Sequence, residues 1–228
     1  GAAAICVGII VGVVTLTGVG FRLGFVVIQT AGDISNFFSN IWPISFFSFE
    51  DLRLFFCLVL IAISCIIMGA GIPTTATYII LVAVAAPALA QLGIEPLVAH
   101  FFVFYYGVLA DITPPVALAA YAASGIAKSN PFKTGNTAFR LGIAKALVPF
   151  VFVYSPSLLL ITGQFQIDQL VITLIGTLIG IALIGIAFSG YWFRPLMRYE
   201  QICIGFGSLF FVAPGSASMI IGLFFILP

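Results

Sequence analysis

One carboxylate and one hydroxyl stand where a long apolar run of this sequence is interrupted. Asp111, Thr113, Pro114 and Pro115 follow an apolar stretch and precede another one. Carboxylate and hydroxyl oxygens are hard donors, which suit Na⁺ far better than a transition metal. An ionisable side chain inside an apolar run is by default a functional residue. We therefore predict that Asp111 and Thr113 contribute to an ion site.

A similar interruption occurs earlier in the chain, at residues 68–75. It contains two glycines, a proline and two threonines, namely Gly69, Gly71, Pro73, Thr74 and Thr75. The prolines at both interruptions lack an N–H group and keep the breaks from closing into helix. Non-helical backbone at membrane depth is tolerated only where protein buries it or where it lines a watery cavity. Paired interruptions of this kind point to a transporter's binding site.

A broken helix offers two kinds of backbone group to a solute. The N-terminal end of the second half presents N–H donors and a positive dipole to an anion. The C-terminal end of the first half presents carbonyl oxygens to a cation. We predict that both breaks form one ion- and substrate-binding site, in which Thr74, Asp111 and Thr113 are the Na⁺ ligands.

Composition places this site in a membrane. The chain has 228 residues, of which 62% are hydrophobic and 7% charged, and its mean hydropathy is +1.28. A soluble domain carries roughly 25% charged residues. We predict an all-α integral membrane protein, a multi-span helical bundle with a helical hairpin and a discontinuous helix. The net charge of +1 argues against a nucleic-acid partner.

Other residues that carry chemistry elsewhere are predicted to be structural here. All four cysteines lie inside apolar runs, and the one histidine, His100, has no ligand partner near it in sequence. His100 shares a helix face with Val103 and Phe104, so we predict a hydrogen-bonded packing residue. We expect no cofactor apart from Na⁺ as a coupling ion, and no enzymatic activity.

The chain divides into three predicted parts. Residues 1–51 form a membrane helix followed by an amphipathic interfacial segment that begins at Asp33. Residues 52–161 form a transport domain with a hairpin region at 52–92 and a broken helix at 97–127. The pair flanking Pro73 is either a re-entrant hairpin or two full spans. Residues 162–228 contain two C-terminal transmembrane helices.

Further boundaries follow from the distribution of glycine, proline and charge. Gly8 and Gly12 form a G-x-x-x-G pair, which either lets another helix approach closely or is ordinary glycine tolerance in a membrane helix. Residues 128–140 form a polar stretch before a span at 141–161. The last span, 202–227, is broken at Pro214 and Gly215.

The basic residues predict an orientation. Lys128, Lys133 and Arg140 form one basic stretch, and Arg194 and Arg198 form another. Two spans separate them, so both fall on one side, which the positive-inside rule makes cytoplasmic. Glu95, Asp168 and the C-terminus are then expected outside.

The chain begins with glycine and is apolar from its second residue. It has no initiator Met, no basic leader segment and no cleavage site of the signal type. We expect it to be part of a longer membrane protein, with a partner half on its N-terminal side.

Two other classes of function remain as alternatives. An intramembrane aspartyl hydrolase needs two carboxylates, and only Asp111 lies inside a span. A serine type needs a base, and His100 lacks a suitable serine. A channel or a non-transporting assembly subunit is the other alternative, although the charge rings usual in channels are absent from this sequence.

Several segments give this sequence a family resemblance. Residues 68–76 (MGAGIPTTA) and 99–123 (AHFFVFYYGVLADITPPVALAAYAA) resemble the large membrane (permease) subunit of TRAP transporters. Residues 8–18, 130–142 and 149–156 are similar to that family too. The closest likeness is to the fused permeases that work with TAXI-type binding proteins.

The resemblance implies more than the residues show by themselves. It implies Na⁺-driven uptake of organic acids across a bacterial or archaeal cytoplasmic (inner) membrane, with a periplasmic solute-binding protein and a small membrane subunit or fused equivalent as partners. It also implies inverted repeats and an elevator movement. Residues 69–75 would be a hairpin tip and residues 111–115 the unwound helix facing it. Since this chain would be the second repeat, it alone should not transport.

Overall fold

The computed structural model describes residues 2–41, 48–161, 165–213 and 216–226. Helices dominate this part of the chain, with short 3-10 segments at Ile143–Ala146 and Pro156–Leu159. The helices in chain order are α1 (Ala2–Thr17), α2 (Val19–Ile41), α3 (Phe49–Gly69), α4 (Thr74–Gln91), α5 (Pro96–Ala110), α6 (Leu118–Ala127), α7 (Pro131–Gly142), α8 (Val148–Tyr154), α9 (Ile167–Ser189), α10 (Arg198–Val212) and α11 (Ser216–Ile226).

Length and composition confirm an all-α integral membrane protein. Within the described ranges, four helical segments are long and apolar enough to cross a membrane: α3, α4, Pro131–Tyr154 and α9. Helices α1 and α2 add one more span if they are counted together, although they meet at an angle of 65°. Each of the four carries at least the ~18–20 residues that a bilayer core requires.

The chain forms two compact units, residues 1–111 and 112–228. In the first, α2, α3, α4 and α5 pack side by side, and α1 lies against α4. Gly18 has a φ of +65°, which a glycine adopts without strain and which accounts for the turn between α1 and α2. Helix α2 runs without interruption through Asp33 to Ile41, so the first part of the predicted interfacial segment is helical and continuous with the preceding apolar turns. Trp42 and Pro43 lie outside the described residues.

The close helix contact in this unit uses a different glycine pair from the predicted one. Nothing lies within 4 Å of a Cβ built on Gly8 or Gly12. By contrast, a Cβ on Gly20 would lie 2.5 Å from the Ala83 carbonyl oxygen, and one on Gly24 would lie 2.8 Å from the Ala88 Cβ. Gly20 and Gly24 also form a G-x-x-x-G pair, and they allow α2 to pack directly on the backbone of α4.

In the second unit, most of the polar stretch at 128–140 is helical and belongs to α7. Pro131 is the first residue of α7, and the Asn130 side chain accepts a hydrogen bond from the Lys133 N–H at 3.0 Å. Asparagine as N-cap followed by proline is a strong helix start. The predicted span at 141–161 is therefore shifted: the apolar segment runs over Pro131–Tyr154.

Helices α9 and α10 pack against each other through a second small-residue stripe. A Cβ on Gly176 would lie 2.7 Å from the Phe211 carbonyl oxygen, and one on Gly180 would lie 3.1 Å from the Ser208 carbonyl oxygen. A two-residue strand pair, β1 (Tyr191–Trp192) and β2 (Arg194–Pro195), connects the two helices.

The predicted last span, 202–227, is replaced by a helical hairpin. A Cβ on Gly207 of α10 would lie 3.1 Å from the Gly222 carbonyl oxygen of α11, and the Phe210 and Phe225 rings stack at 5.6 Å. Residues 15 apart in one continuous helix would be separated by about 22 Å. Helices α10 and α11 therefore lie side by side and antiparallel. With 15 and 11 residues, neither reaches the length of a full span.

This hairpin returns the chain toward the side from which α10 starts, and it therefore predicts a location of the C-terminus opposite to the one expected from the sequence. In the full-length protein, we expect reporters fused after Arg198 and after Pro228 to report the same side of the membrane. A reporter fused after Gln166 should report the opposite side, since α9 crosses between them. Paired alkaline phosphatase and fluorescent-protein fusions measure this directly. Opposite signals at Arg198 and Pro228 would restore the single broken span.

Candidate functional site

The first break joins the end of α3 to the start of α4. Gly69 is the last residue of α3 and is buried. Gly71 has a φ of +84°, a conformation that a side chain would strain. Pro73 precedes α4, and no side chain caps that helix. Thr74 and Thr75 are its first two residues and are exposed. The break is thus a tight turn with an open helix N-terminus.

Helices α3, α4 and α5 meet behind this turn. We call their meeting point the three-helix junction and define it by Gly69, Thr77, Gly107 and Ala110. A Cβ on Gly69 would lie 2.9 Å from the Thr77 Cγ2 and 3.0 Å from the Ala110 Cβ. A Cβ on Gly107 would lie 3.3 Å from the same Thr77 methyl. The two glycines, on α3 and α5, therefore form the slot that holds the Thr77 side chain of α4.

Thr77 is a residue that the sequence predictions missed. Its side chain is fully buried, and its hydroxyl donates to the Ile72 carbonyl at 3.0 Å. Its backbone N–H donates to the Pro73 carbonyl at 2.9 Å. Thr77 thus ties the turn to the junction. No signal in the sequence marks this role, because α4 is apolar on nearly all sides and its inward face is set by contacts with other helices.

The second break begins where α5 ends in the same junction. Asp111 directly follows the last residue of α5, and its N–H donates to the Val108 carbonyl at 3.3 Å. Its side chain is half-buried. Across the described residues, no basic side chain forms an ion pair with it. The C-terminal ends of α3 and α5 therefore converge beside a carboxylate.

The two helix ends and the Asp111 carboxylate at the junction all carry negative charge. The C-terminus of a helix carries roughly half a negative charge. Two such ends and one carboxylate give the junction an electronegative character, which the N-terminus of α4 only partly offsets. The arrangement is suited to hold a small cation and, at the open N-terminus of α4, an anion.

The rest of the second break belongs to the second unit. The Thr113 carbonyl accepts from the Ala117 N–H at 3.1 Å. The Tyr121 hydroxyl donates to the Pro115 carbonyl at 2.6 Å, so a side chain of α6 fixes the backbone of the break. Ala117 is buried with a φ of +37°, a left-handed conformation rare for alanine. The prediction of a helix interruption is confirmed, since residues 111–117 separate α5 from α6.

Helix α7 packs against this part of the break through glycines. A Cβ on Gly135 would lie 2.9 Å from the Tyr121 ring and 3.7 Å from the Pro114 Cγ. A Cβ on Gly142 would collide with the Ile112 δ1 methyl. The segment at 130–142, which contributed to the family resemblance, therefore supports the backbone around Pro114.

His100 is a packing residue, as predicted. Its Nδ1 shares a hydrogen bond with the Tyr78 hydroxyl at 2.7 Å, and Tyr78 also contacts the Phe104 ring edge-on. This pair joins α4 to α5. It requires no catalytic role for the histidine.

The predicted site residues thus fall into three groups. Gly69 lies in the junction, and Asp111 directly follows Ala110, the junction residue at the end of α5. Gly71, Pro73, Thr74 and Thr75 form the exposed turn and the start of α4. Thr113, Pro114 and Pro115 lie in the second unit, where Tyr121 and α7 hold the backbone.

Helix breaks, glycine-mediated helix packing and apolar spans are the features of a multi-pass membrane protein. Residues 1–167 match the family described as "Tripartite ATP-independent periplasmic transporter, DctM component". The chain belongs to this family, which is the large component of TRAP transporters and is a family of transporters. Comparison with curated proteins and with solved structures gives no match.

Proposed function

We propose that this chain is part of the permease of a Na⁺-coupled secondary transporter that takes up organic acids. The observation that carries the proposal is the convergence of the α3 and α5 C-terminal ends around Thr77, next to Asp111. The family description supports a driving force other than ATP. An ion gradient is the common alternative, and the electronegative junction is the feature that would sense a cation.

The proposed coupling ion is Na⁺, with Thr74, Asp111 and Thr113 as oxygen ligands. Carboxylate, hydroxyl and carbonyl oxygens are hard donors. The carboxylate of Asp111 supplies the one full negative charge. Gly69 and Gly71 permit the close approach and the turn on which the ligand positions depend.

The proposed substrate site is the N-terminus of α4. This helix has 18 residues and no side-chain cap, so its first N–H groups are available to a carboxylate of the substrate. Pro73 fixes the entry into the helix, and the Thr74 and Thr75 hydroxyls are exposed beside it. In the second break, Pro114 and Pro115 keep the backbone from closing into helix.

The proposed partners follow from the family. A tripartite periplasmic transporter implies a periplasmic solute-binding protein and a small membrane subunit or its fused equivalent. We propose the cytoplasmic membrane of a bacterium or archaeon as the location, and an elevator movement for alternating access.

Uptake in proteoliposomes tests the proposal. The full-length permease, its small subunit and the binding protein are reconstituted with an inward Na⁺ gradient, and a panel of labelled carboxylates is offered. We expect uptake of at least one carboxylate that stops when K⁺ replaces Na⁺ and when the binding protein is omitted. Uptake that is indifferent to Na⁺ would exclude sodium coupling. Absence of uptake for every carboxylate, with a binding protein that does bind one of them, would favour an assembly subunit.

A further inference from the structure

The second unit contains an apolar groove that the transport site does not use. It has a volume of about 640 Å³ and lies between α7, α9 and α10. Its apolar walls include Ile184 and Phe188 of α9 and Phe206 and Leu209 of α10. We call it the arginine groove, because Arg140 of α7 and Arg198 of α10 line it as well.

The two arginines are 58 positions apart in sequence, and the fold brings both to one groove. No acidic residue is among those lining it. The neighbouring Arg194 is different, because the buried Glu200 accepts hydrogen bonds from its guanidinium. Among the described residues, neither Arg140 nor Arg198 forms an ion pair. The groove therefore presents two uncompensated positive charges.

The apolar part of the groove is long and faces outward. Arg198 and Leu209 are 11 residues apart on one helix, a distance of about 16 Å along its axis. Phe206 is 56% exposed, and Ile202 is 59% exposed on the same helix. Exposed apolar side chains on a membrane helix contact lipid chains. Arg198 is the first residue of α10 and therefore lies at one end of these apolar walls.

We propose that the arginine groove binds an anionic phospholipid, with the phosphate between Arg140 and Arg198 and an acyl chain along α10. Guanidinium groups suit phosphate because their paired N–H donors match its oxygens. Basic pockets between membrane helices on the cytoplasmic side are typical sites for anionic lipid headgroups. The sharing of one groove by Arg140 and Arg198 also supports the prediction that both basic stretches lie on one side of the membrane.

Native mass spectrometry of the full-length protein tests this, with equal amounts of phosphatidylglycerol and phosphatidylcholine as probes. We expect the wild-type protein to retain phosphatidylglycerol preferentially. Arg140→Gln and Arg198→Gln should each lower this preference about fivefold, and the double variant more. Lys133→Gln is the matched control, because it removes the same charge from the same helix outside the groove. Equal retention of both lipids, or equal behaviour of all three single variants, would overturn the proposal.

A second variant separates the acyl chain from the headgroup. Gly205 lines the groove, and a Cβ built on it has only the Ala187 Cβ within 4 Å, at 3.8 Å, so we expect a Gly205→Leu side chain to occupy part of the groove. It should lower phosphatidylglycerol retention while both arginines remain. Inorganic phosphate should not displace the lipid; displacement by phosphate alone would mean an anion site rather than a lipid groove and would overturn the assignment.

Discussion

A single methyl group added at Gly69 is expected to lower Na⁺-dependent uptake about tenfold. In Gly69→Ala, the new Cβ would lie 2.9 Å from the Thr77 Cγ2 and 3.0 Å from the Ala110 Cβ. Neither neighbour can move aside easily. Thr77 is β-branched and hydrogen-bonded to Ile72, and the Ala110 Cβ is fixed to its backbone. Overpacking of this kind costs about 1–3 kcal/mol.

The expected loss of uptake is larger than the loss of stability alone would give, because the ends of α3 and α5 must separate. Ion sites require ligand distances held to about 0.2 Å. A separation of a few tenths of an ångström would move Asp111 relative to the first break. We therefore expect a higher half-saturating Na⁺ concentration in Gly69→Ala as well as a lower apparent Tm.

A compensating change tests whether the added methyl acts through Thr77. Thr77→Ser removes the Cγ2 methyl and keeps the hydroxyl that donates to Ile72. The double variant Gly69→Ala/Thr77→Ser should regain part of the lost uptake, which a double-mutant cycle measures as coupling. Gly125→Ala is the control, since nothing lies within 4 Å of a Cβ there. Additive effects of the two substitutions on uptake would show that the added methyl at residue 69 does not act through Thr77.

The two breaks were predictable because glycine, proline and polar residues rarely cluster inside an apolar run unless the helix is interrupted there. The start of α5 was predictable from local chemistry too, since Pro96 at the first turn follows Glu95, whose carboxylate caps the helix. The integral-membrane class followed from composition, because so few charged residues cannot cover a surface in water.

Contacts between helices were not predictable from local chemistry. Gly8 and Gly12 have the same spacing as Gly20 and Gly24, but only the second pair touches α4. The spacing of two glycines shows that one face of a helix lacks side chains, but it does not show which helix packs against that face. Thr77 was missed for a related reason, because its role depends on Gly69 and Gly107, which lie in other helices.

The C-terminal hairpin shows the same limit at larger scale. The break at Pro214 and Gly215 is compatible with a bent span or with a reversal of direction. The pairing of Gly207 with Gly222, which is a contact between helices, decides between them. The prediction of one broken span placed the C-terminus outside, whereas the hairpin returns the chain toward Arg198.

The second large expected effect is a rise of about 10–100-fold in the half-saturating Na⁺ concentration when Asp111 is replaced by asparagine. Asp111→Asn keeps the size of the side chain and removes its charge. A unit charge at about 4 Å is worth about 4 kcal/mol at an effective dielectric constant of about 20. Asp111 is half-buried, so water screens part of this interaction. The helix ends of α3 and α5 remain, which is why we expect weakened coupling rather than none.

Three further variants separate the loss of this charge from a loss of folding. Asp111→Glu keeps the charge and displaces it by one methylene, so its Na⁺ requirement should lie between those of wild type and Asp111→Asn. Thr113→Ala should have a smaller effect, since a neutral ligand is lost. Asp33→Asn removes an exposed carboxylate from α2 and should leave uptake unchanged.

An Asp111→Asn protein that elutes normally on size exclusion and keeps the wild-type Na⁺ dependence at limiting Na⁺ would remove this carboxylate from the ion site. The two converging helix ends would then have to supply the negative charge alone, which is weaker than a carboxylate and more easily screened.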